Sequence, residues 1–273
     1  MRAACVQLCS KQDVQANLET AAALVERARE LGAELVALPE NFAYLGSSDD
    51  RLAVAEALPA LGQGDGSGPI TRWLSALSKL HGIHVVASGL PENGPDAKHT
   101  YNTSAYYGPD GTLRAAYRKI HLFDVDLADG SSFKESATVA AGTTPVVAET
   151  PFGAMGLAIC YDLRFPELFR SMSARGMDFL VLGAAFTLHT GRDHWIALLK
   201  ARAIENQCYV IAPAQHGRHS DRRVTFGRSA IIDPWGTELA IAPDRDGVIV
   251  ADLDFNAMKK IRQELPALDH RRL

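Results

Sequence analysis

A thiol, a carboxylate and an ammonium each close a separate apolar run in this 273-residue chain. Cys160 ends the run Met155-Gly-Leu-Ala-Ile159 and is followed by Tyr161-Asp-Leu-Arg-Phe-Pro166-Glu167. The run reads as a buried strand. Pro166 opens a helical pattern at a first-turn position where its missing N–H costs nothing. Cys160 therefore belongs at the carboxyl end of a core strand, on a sharp strand-to-helix connection, where open α/β sheets gather their reactive groups. A thiol there can meet a bound carbonyl while the backbone N–H of Tyr161 points at the reacting oxygen. Glu40 follows Ala33-Glu-Leu-Val-Ala-Leu-Pro39, and Lys119 closes Leu113-Arg-Ala-Ala-Tyr-Arg118. Lys119 beside the thiol would favour thiolate, and Glu40 would take its proton. Parallel or mixed sheets bring such strand ends together on one rim.

Other reactive residue types carry weaker patterns. Cys5 and Cys9 lack a second pair at zinc spacing, and Cys208 follows a helical pattern as a core residue would. His121 can form a dyad with a cysteine, but its place in Lys119-Ile-His-Leu122 fits a hydrogen-bonded structural histidine better. The pairs His81/His84 and His216/His219 lack further ligands for a metal. Gly227-Arg-Ser229-Ala-Ile231 misses the last glycine of a serine nucleophile elbow. Leu61 to Pro69 is glycine-rich, but no strand precedes it and no Lys-Ser/Thr follows, so it reads as a surface loop rather than a phosphate cradle.

Eleven strands and five helices would position the three residues. The strands are expected over 3–8, 35–38, 84–90, 101–107, 113–117, 146–150, 156–160, 179–183, 209–214, 228–232 and 247–252. The helices are expected over 14–31, 70–81, 166–175, 195–206 and 256–264. Leu18, Ala21, Ala22, Val25 and Ala28 form an i, i+3, i+4 stripe, and Gly32 supplies the stop. Gly108-Pro-Asp-Gly111 and Asp233-Pro-Trp-Gly236 are hairpin turns. Crossovers mixed with hairpins predict an α/β protein with a mixed sheet, or two stacked sheets, covered by helices.

The bulk properties set limits. Hydrophobic residues make up 47% and the formal net charge is −4, with no basic face of the kind that binds nucleic acid. Four cysteines in so long a chain argue for a reducing compartment. The first residues lack the apolar length of a signal peptide, and no run approaches a membrane span. The expectation is a cytoplasmic protein without a membrane partner.

The segments around Glu40, Lys119 and Cys160, followed by His194-Trp195, Ala201-Arg-Ala-Ile-Glu-Asn206 and Asp233-Pro-Trp-Gly236, resemble the nitrilase (carbon–nitrogen hydrolase) superfamily over nearly the whole chain. Within it they resemble the branch that contains deaminated glutathione amidase and omega-amidase. That resemblance implies a four-layer α-β-β-α sandwich spanning residues 1–273 as one domain. It implies a catalytic set of Glu40, Lys119 and Cys160, a second glutamate at Glu135, and an oxyanion contact from the Tyr161 N–H. The implied reaction takes the primary amide of an α-keto acid amide to acid and ammonia through a thioester, with no metal or organic cofactor. Omega-amidase action on α-ketoglutaramate or α-ketosuccinamate is the alternative, and a non-catalytic scaffold a more distant one. Phe186 and Thr187 are candidate pocket residues. Arg164 either binds a substrate carboxylate or, by a slight preference, makes a buried ion pair. A homodimer or larger oligomer is implied, with residues 254–273 reaching a partner.

Overall fold

A computed structural model describes residues 1–64, 66–126, 132–221 and 223–272. The first half runs β1 (Arg2–Gln7), α1 (Val14–Glu30), β2 (Leu35–Leu38), α2 (Ser48–Ala53), α3 (Pro69–His81), β3 (His84–Asn93), β4 (Thr100–Tyr107) and β5 (Leu113–Arg118). Short strands β6 (Asp124–Asp126) and β7 (Ser132–Lys134) follow. The second half runs β8 (Val146–Thr150), β9 (Gly153–Ile159), α4 (Pro166–Ser173), β10 (Phe179–Gly183), α5 (Leu188–Asn206), β11 (Tyr209–Ala212), β12 (His216–Ser220) and β13 (Arg223–Phe226). It closes with β14 (Ala230–Ile232), β15 (Glu238–Ile241), β16 (Gly247–Asp252) and α6 (Phe255–Glu264).

Two six-stranded sheets form, ordered β16-β1-β2-β3-β4-β5 and β15-β14-β11-β10-β9-β8. In each, three parallel strands are joined to antiparallel neighbours. Burial follows the two-residue period of a strand. Ala4, Val6, Val36, Leu38, Val85 and Ala87 pack under α1 and α3. Their alternates Ala3, Cys5, Leu35, Ala37 and Val86 face the second sheet. Helices α4 and α5 cover that sheet's other side through Phe169, Trp195 and Leu199. The result is the four-layer α-β-β-α sandwich. In a sheet buried on both faces, a one-residue slip would exchange the two cores, so the register is firmly set.

Helix ends match their local chemistry. Asp13 accepts from Ala16 N at the start of α1. The glycine-rich segment leads into α3, whose free N–H groups are taken by the chain's own Glu56 carboxylate, at 2.7 Å from Ile70 N and 2.8 Å from Thr71 N.

Several expectations need correction. The strand before Cys160 stops at Ile159, and Cys160 opens a 3₁₀ turn over Cys160–Arg164. Helix α5 begins at Leu188 rather than at 195. Its first two turns are polar and show no apolar stripe. Gly191 there lies under Phe226, where a Cβ would come within 2.3 Å of that ring's own Cβ. Helix α2 and the pairs β6–β7 and β12–β13 are short and polar, so no hydrophobic period announces them.

Two glycines let the sheets close where β2 ends. Gly89 sits in a bulge of β3 at φ +77°, and a Cβ there would fall 1.9 Å from Asn41 N. A Cβ at Gly183 would fall 2.4 Å from Ser88 Cβ and 3.1 Å from Glu40 N. Left-handed strain and forced overpacking together predict that Gly89→Ala destabilises the protein by roughly 2–4 kcal/mol. A urea titration that finds the midpoint unchanged would refute this reading of the contact.

Candidate active site

Cys160 is built from its neighbours outward. Its φ of +49° is a left-handed conformation that a side-chain-bearing residue adopts only when held there. Asp162, fully buried, does the holding. Its Oδ2 accepts from Ile159 N at 2.9 Å and from the Tyr117 hydroxyl at 2.8 Å. Its Oδ1 accepts from His121 N at 3.1 Å and His121 Nδ1 at 2.7 Å. The His121 ring also stacks on Phe165 at 3.8 Å. His121 is thus engaged in bracing the turn and does not line the cavity beside the thiol.

Around the thiol, charges are shared rather than paired one to one. Lys119 Nζ lies 3.2 Å from Glu40 Oε1 and 2.8 and 3.1 Å from the two Glu135 oxygens. The Asn102 amide donates to Oε1 of Glu40 at 2.9 Å and to Oε1 of Glu135 at 3.0 Å. The second oxygen of Glu40 accepts from Ala185 N at 2.9 Å, and that of Glu135 from Phe123 N at 2.7 Å. Glu40 and Lys119 are 3% and 2% exposed, so water contributes little to their charge balance.

The electrostatic consequences follow. Burial opposes the Lys119 charge, but Glu135 and then Glu40 overcome it and hold the ammonium above its usual range. Burial opposes the Glu40 charge too. Lys119, then hydrogen bonds with the Cys160 thiol and Asn102, outweigh it and keep Glu40 below the ordinary carboxylate range. For Cys160, burial and the Glu40 charge raise the thiol well above its usual value, and Lys119 offsets them only in part. This balance of charges favours the protonated thiol beside the Glu40 carboxylate.

These groups open onto a cavity of about 220 Å³. Glu40, Lys119, Cys160 and Glu135 line it, as do Tyr161, Arg164, Phe186 and Thr187. All eight residues expected to form the site thus line one cavity. Arg164 departs from the slightly favoured expectation. It is half-buried and makes no ion pair among the described residues; its Nη1 lies 3.2 Å from His194 Nδ1 and its guanidinium 5.3 Å from the Phe186 ring. Sequence reasoning missed Asn102, Arg51 and Arg223, which also line the cavity. Asn102 carried a usable signal: Tyr101-Asn-Thr-Ser104 puts consecutive polar residues in a strand buried on both faces.

The sequence from residue 2 to residue 263 matches the family model described as Carbon-nitrogen hydrolase. The chain belongs to the carbon–nitrogen hydrolase family. Among members of this hydrolase family, it is 44% identical over 272 residues to the deaminated glutathione amidase of Synechocystis, covering 98% of this chain and 97% of that one. The solved structure of the Caenorhabditis elegans NitFhit protein superposes with a TM-score of 0.90 at 38% identity, over 99% of this chain and 65% of that one. A mutant amidase from Nesterenkonia, solved with acrylamide added to its active-site cysteine, superposes at 0.78 with 28% identity, over 97% and 98% of the two chains.

The thiol's neutrality gives a signed prediction. Glu40→Gln removes a charge and a hydrogen bond that both raise Cys160, while Lys119 remains. Thiolate absorbance near 240 nm should therefore emerge at lower pH in Glu40→Gln than in the wild type. An unchanged or higher titration midpoint would contradict the charge arrangement.

Proposed function

We propose that the protein hydrolyses the carbonyl–nitrogen bond of an α-keto acid amide whose far end is carboxylate-bearing or peptide-like, through a thioester on Cys160. The observation that carries this reading is that Lys119, held between Glu40 and Glu135, shares one small cavity with Cys160. The adduct on the cysteine of the Nesterenkonia amidase and the substrate named for the Synechocystis relative support it.

In this mechanism Glu40 takes the thiol proton as Sγ attacks the amide carbonyl. The oxyanion that forms is met by the Lys119 ammonium and the Tyr161 N–H. Fixed donors of this kind contribute on the order of 10²–10³ in rate each. Glu40 then passes its proton to the leaving nitrogen, the carbon–nitrogen bond breaks, and the acyl group stays on sulfur. Water enters, Glu40 removes its proton, and hydroxide adds to the thioester. Collapse expels the Cys160 sulfur, which regains a proton from Glu40, and the acid departs. Glu135 acts as a positioning residue, holding Lys119 and facing the incoming amide or water. Each step uses residues of the chain alone.

The leaving nitrogen depends on the substrate. A primary amide such as α-ketoglutaramate yields ammonia. The amide bonds of a glutathione skeleton are secondary and yield an amine, so an assay must read the acid product as well as ammonia. We place the protein in the cytoplasm as a homo-oligomer, with residues 254–272 in its contacts and residue 273 outside the described set. Among the described residues no helix is long and apolar enough to cross a membrane.

A panel of α-keto amides tests the reading. Deaminated glutathione should give the highest kcat/KM, above α-ketoglutaramate, and Cys160→Ala should lower turnover by at least about 10³-fold. Undiminished turnover in Cys160→Ala, or no acid product from any member, would end the proposal.

A further inference from the structure

The cavity carries more positive charge than its chemistry uses. Five basic side chains and two acidic ones line it among the described residues, although the chain as a whole has a formal net charge of −4. Both acids are already engaged, with Lys119, Asn102 and backbone N–H groups. Nothing on that side remains to neutralise a further cation.

Arg223 is the cation with the least local support. It begins β13, a strand tied firmly to the cavity wall. Phe226 N donates to Phe186 O at 3.0 Å, and Thr225 is bridged to Thr187. The Thr225 hydroxyl is braced by His219 Nε2 at 2.7 Å. The Arg223 side chain itself is half-buried and makes no hydrogen bond or ion pair with any described residue. Arg164, also on the cavity, meets only His194 and aromatic ring faces among the described residues. Arg51 differs, because its guanidinium is held by neutral acceptors: Asn41 Oδ1 at 2.8 Å, and the Gly89 carbonyl and Thr100 hydroxyl at 3.4 Å. A half-buried guanidinium with no hydrogen-bond acceptor among the described residues loses hydration that only the more distant Glu40 charge offsets. Its planar fork matches a carboxylate, and two such forks on one small cavity match an anionic ligand better than a neutral one.

We propose that Arg223, with Arg164 on the same cavity, is the carboxylate receptor that selects anionic amides over neutral ones. The proposal rests on the amidase reading for what is bound, and it adds the residue that sets specificity. Arg223 takes no part in proton transfer; it holds the substrate's charged end while Cys160 meets the carbonyl.

Two measurements on the full chain test this. The first is the ratio of kcat/KM for deaminated glutathione to that for its dimethyl ester. Arg223→Gln should lower this ratio about 10–100-fold, mainly through KM of the diacid, the size expected for losing one charge-assisted contact. Arg223→Lys, which keeps the charge and loses the fork, should fall between. A ratio within about twofold of wild type overturns the proposal, since general structural damage would lower both substrates together. The second is calorimetric affinity for deaminated glutathione in Cys160→Ala, with and without Arg223→Gln, which needs no turnover. A loss of about 10–100-fold is expected. If the wild type hydrolyses neither compound but this affinity loss is found, the amidase reading fails and the receptor stands. If Cys160→Ala binds diacid and diester equally, or binds neither, the receptor falls whatever the turnover.

Discussion

A single buried ammonium holds this site together. Lys119 sits between two carboxylates from different segments, and its charge is the common partner that keeps the buried Glu40 ionised. Burying one ion pair is costly, and removing one member of such a pair typically costs about 3–5 kcal/mol because the other charge is stranded. Here three segments depend on one another: the end of β2 supplies Glu40, the end of β5 leads into Lys119, and the turn after β7 supplies Glu135. Asn102 on β4 joins the two carboxylates from one side through a single amide nitrogen. The close approach of the sheets at Gly89 and Gly183 is what brings the Glu40 segment within reach.

The same charge economy explains the state of the sulfur. Lys119 alone would ionise a neighbouring thiol, but its field is divided between Glu40 and Glu135. What remains near Cys160 is a carboxylate strong enough to keep the proton on sulfur and close enough to accept it when a carbonyl arrives. In the proposed mechanism the nucleophile is generated during attack rather than stored as thiolate, and a protonated thiol is less exposed to adventitious alkylation and oxidation. The left-handed turn at Cys160 and its Asp162 brace fix the direction from which that attack comes.

The three reactive residues were legible in the sequence because each ends an apolar run, and strand ends collect on one rim whatever the detailed order. Cys160, Glu40 and Lys119 needed no knowledge of register. Tyr161, Phe186 and Thr187 were legible from their places just past strand ends, Glu135 came with family resemblance, and all four lie on the same cavity. The residues that escaped share a physical cause. Arg51 lies on a six-residue helix and Arg223 on a four-residue strand, both too short and polar for hydrophobic periodicity to register. Arg164 illustrates the converse: an arginine beside a core strand invites an ion-pair reading, and only the fold shows that aromatic rings and a histidine surround it instead. The early start of α5 escaped because its first turns meet a polar hairpin, not the core.

The claim that the Lys119 charge serves the reacting carbonyl is tested most directly by a crystal structure of Cys160→Ala with an α-keto amide bound. The account predicts the amide carbonyl carbon over the vacant sulfur position, with its oxygen about 3 Å from Lys119 Nζ and directed at the Tyr161 N–H. An amide bound with its oxygen turned away from Lys119, and the ammonium still engaged only by Glu40 and Glu135, would contradict it.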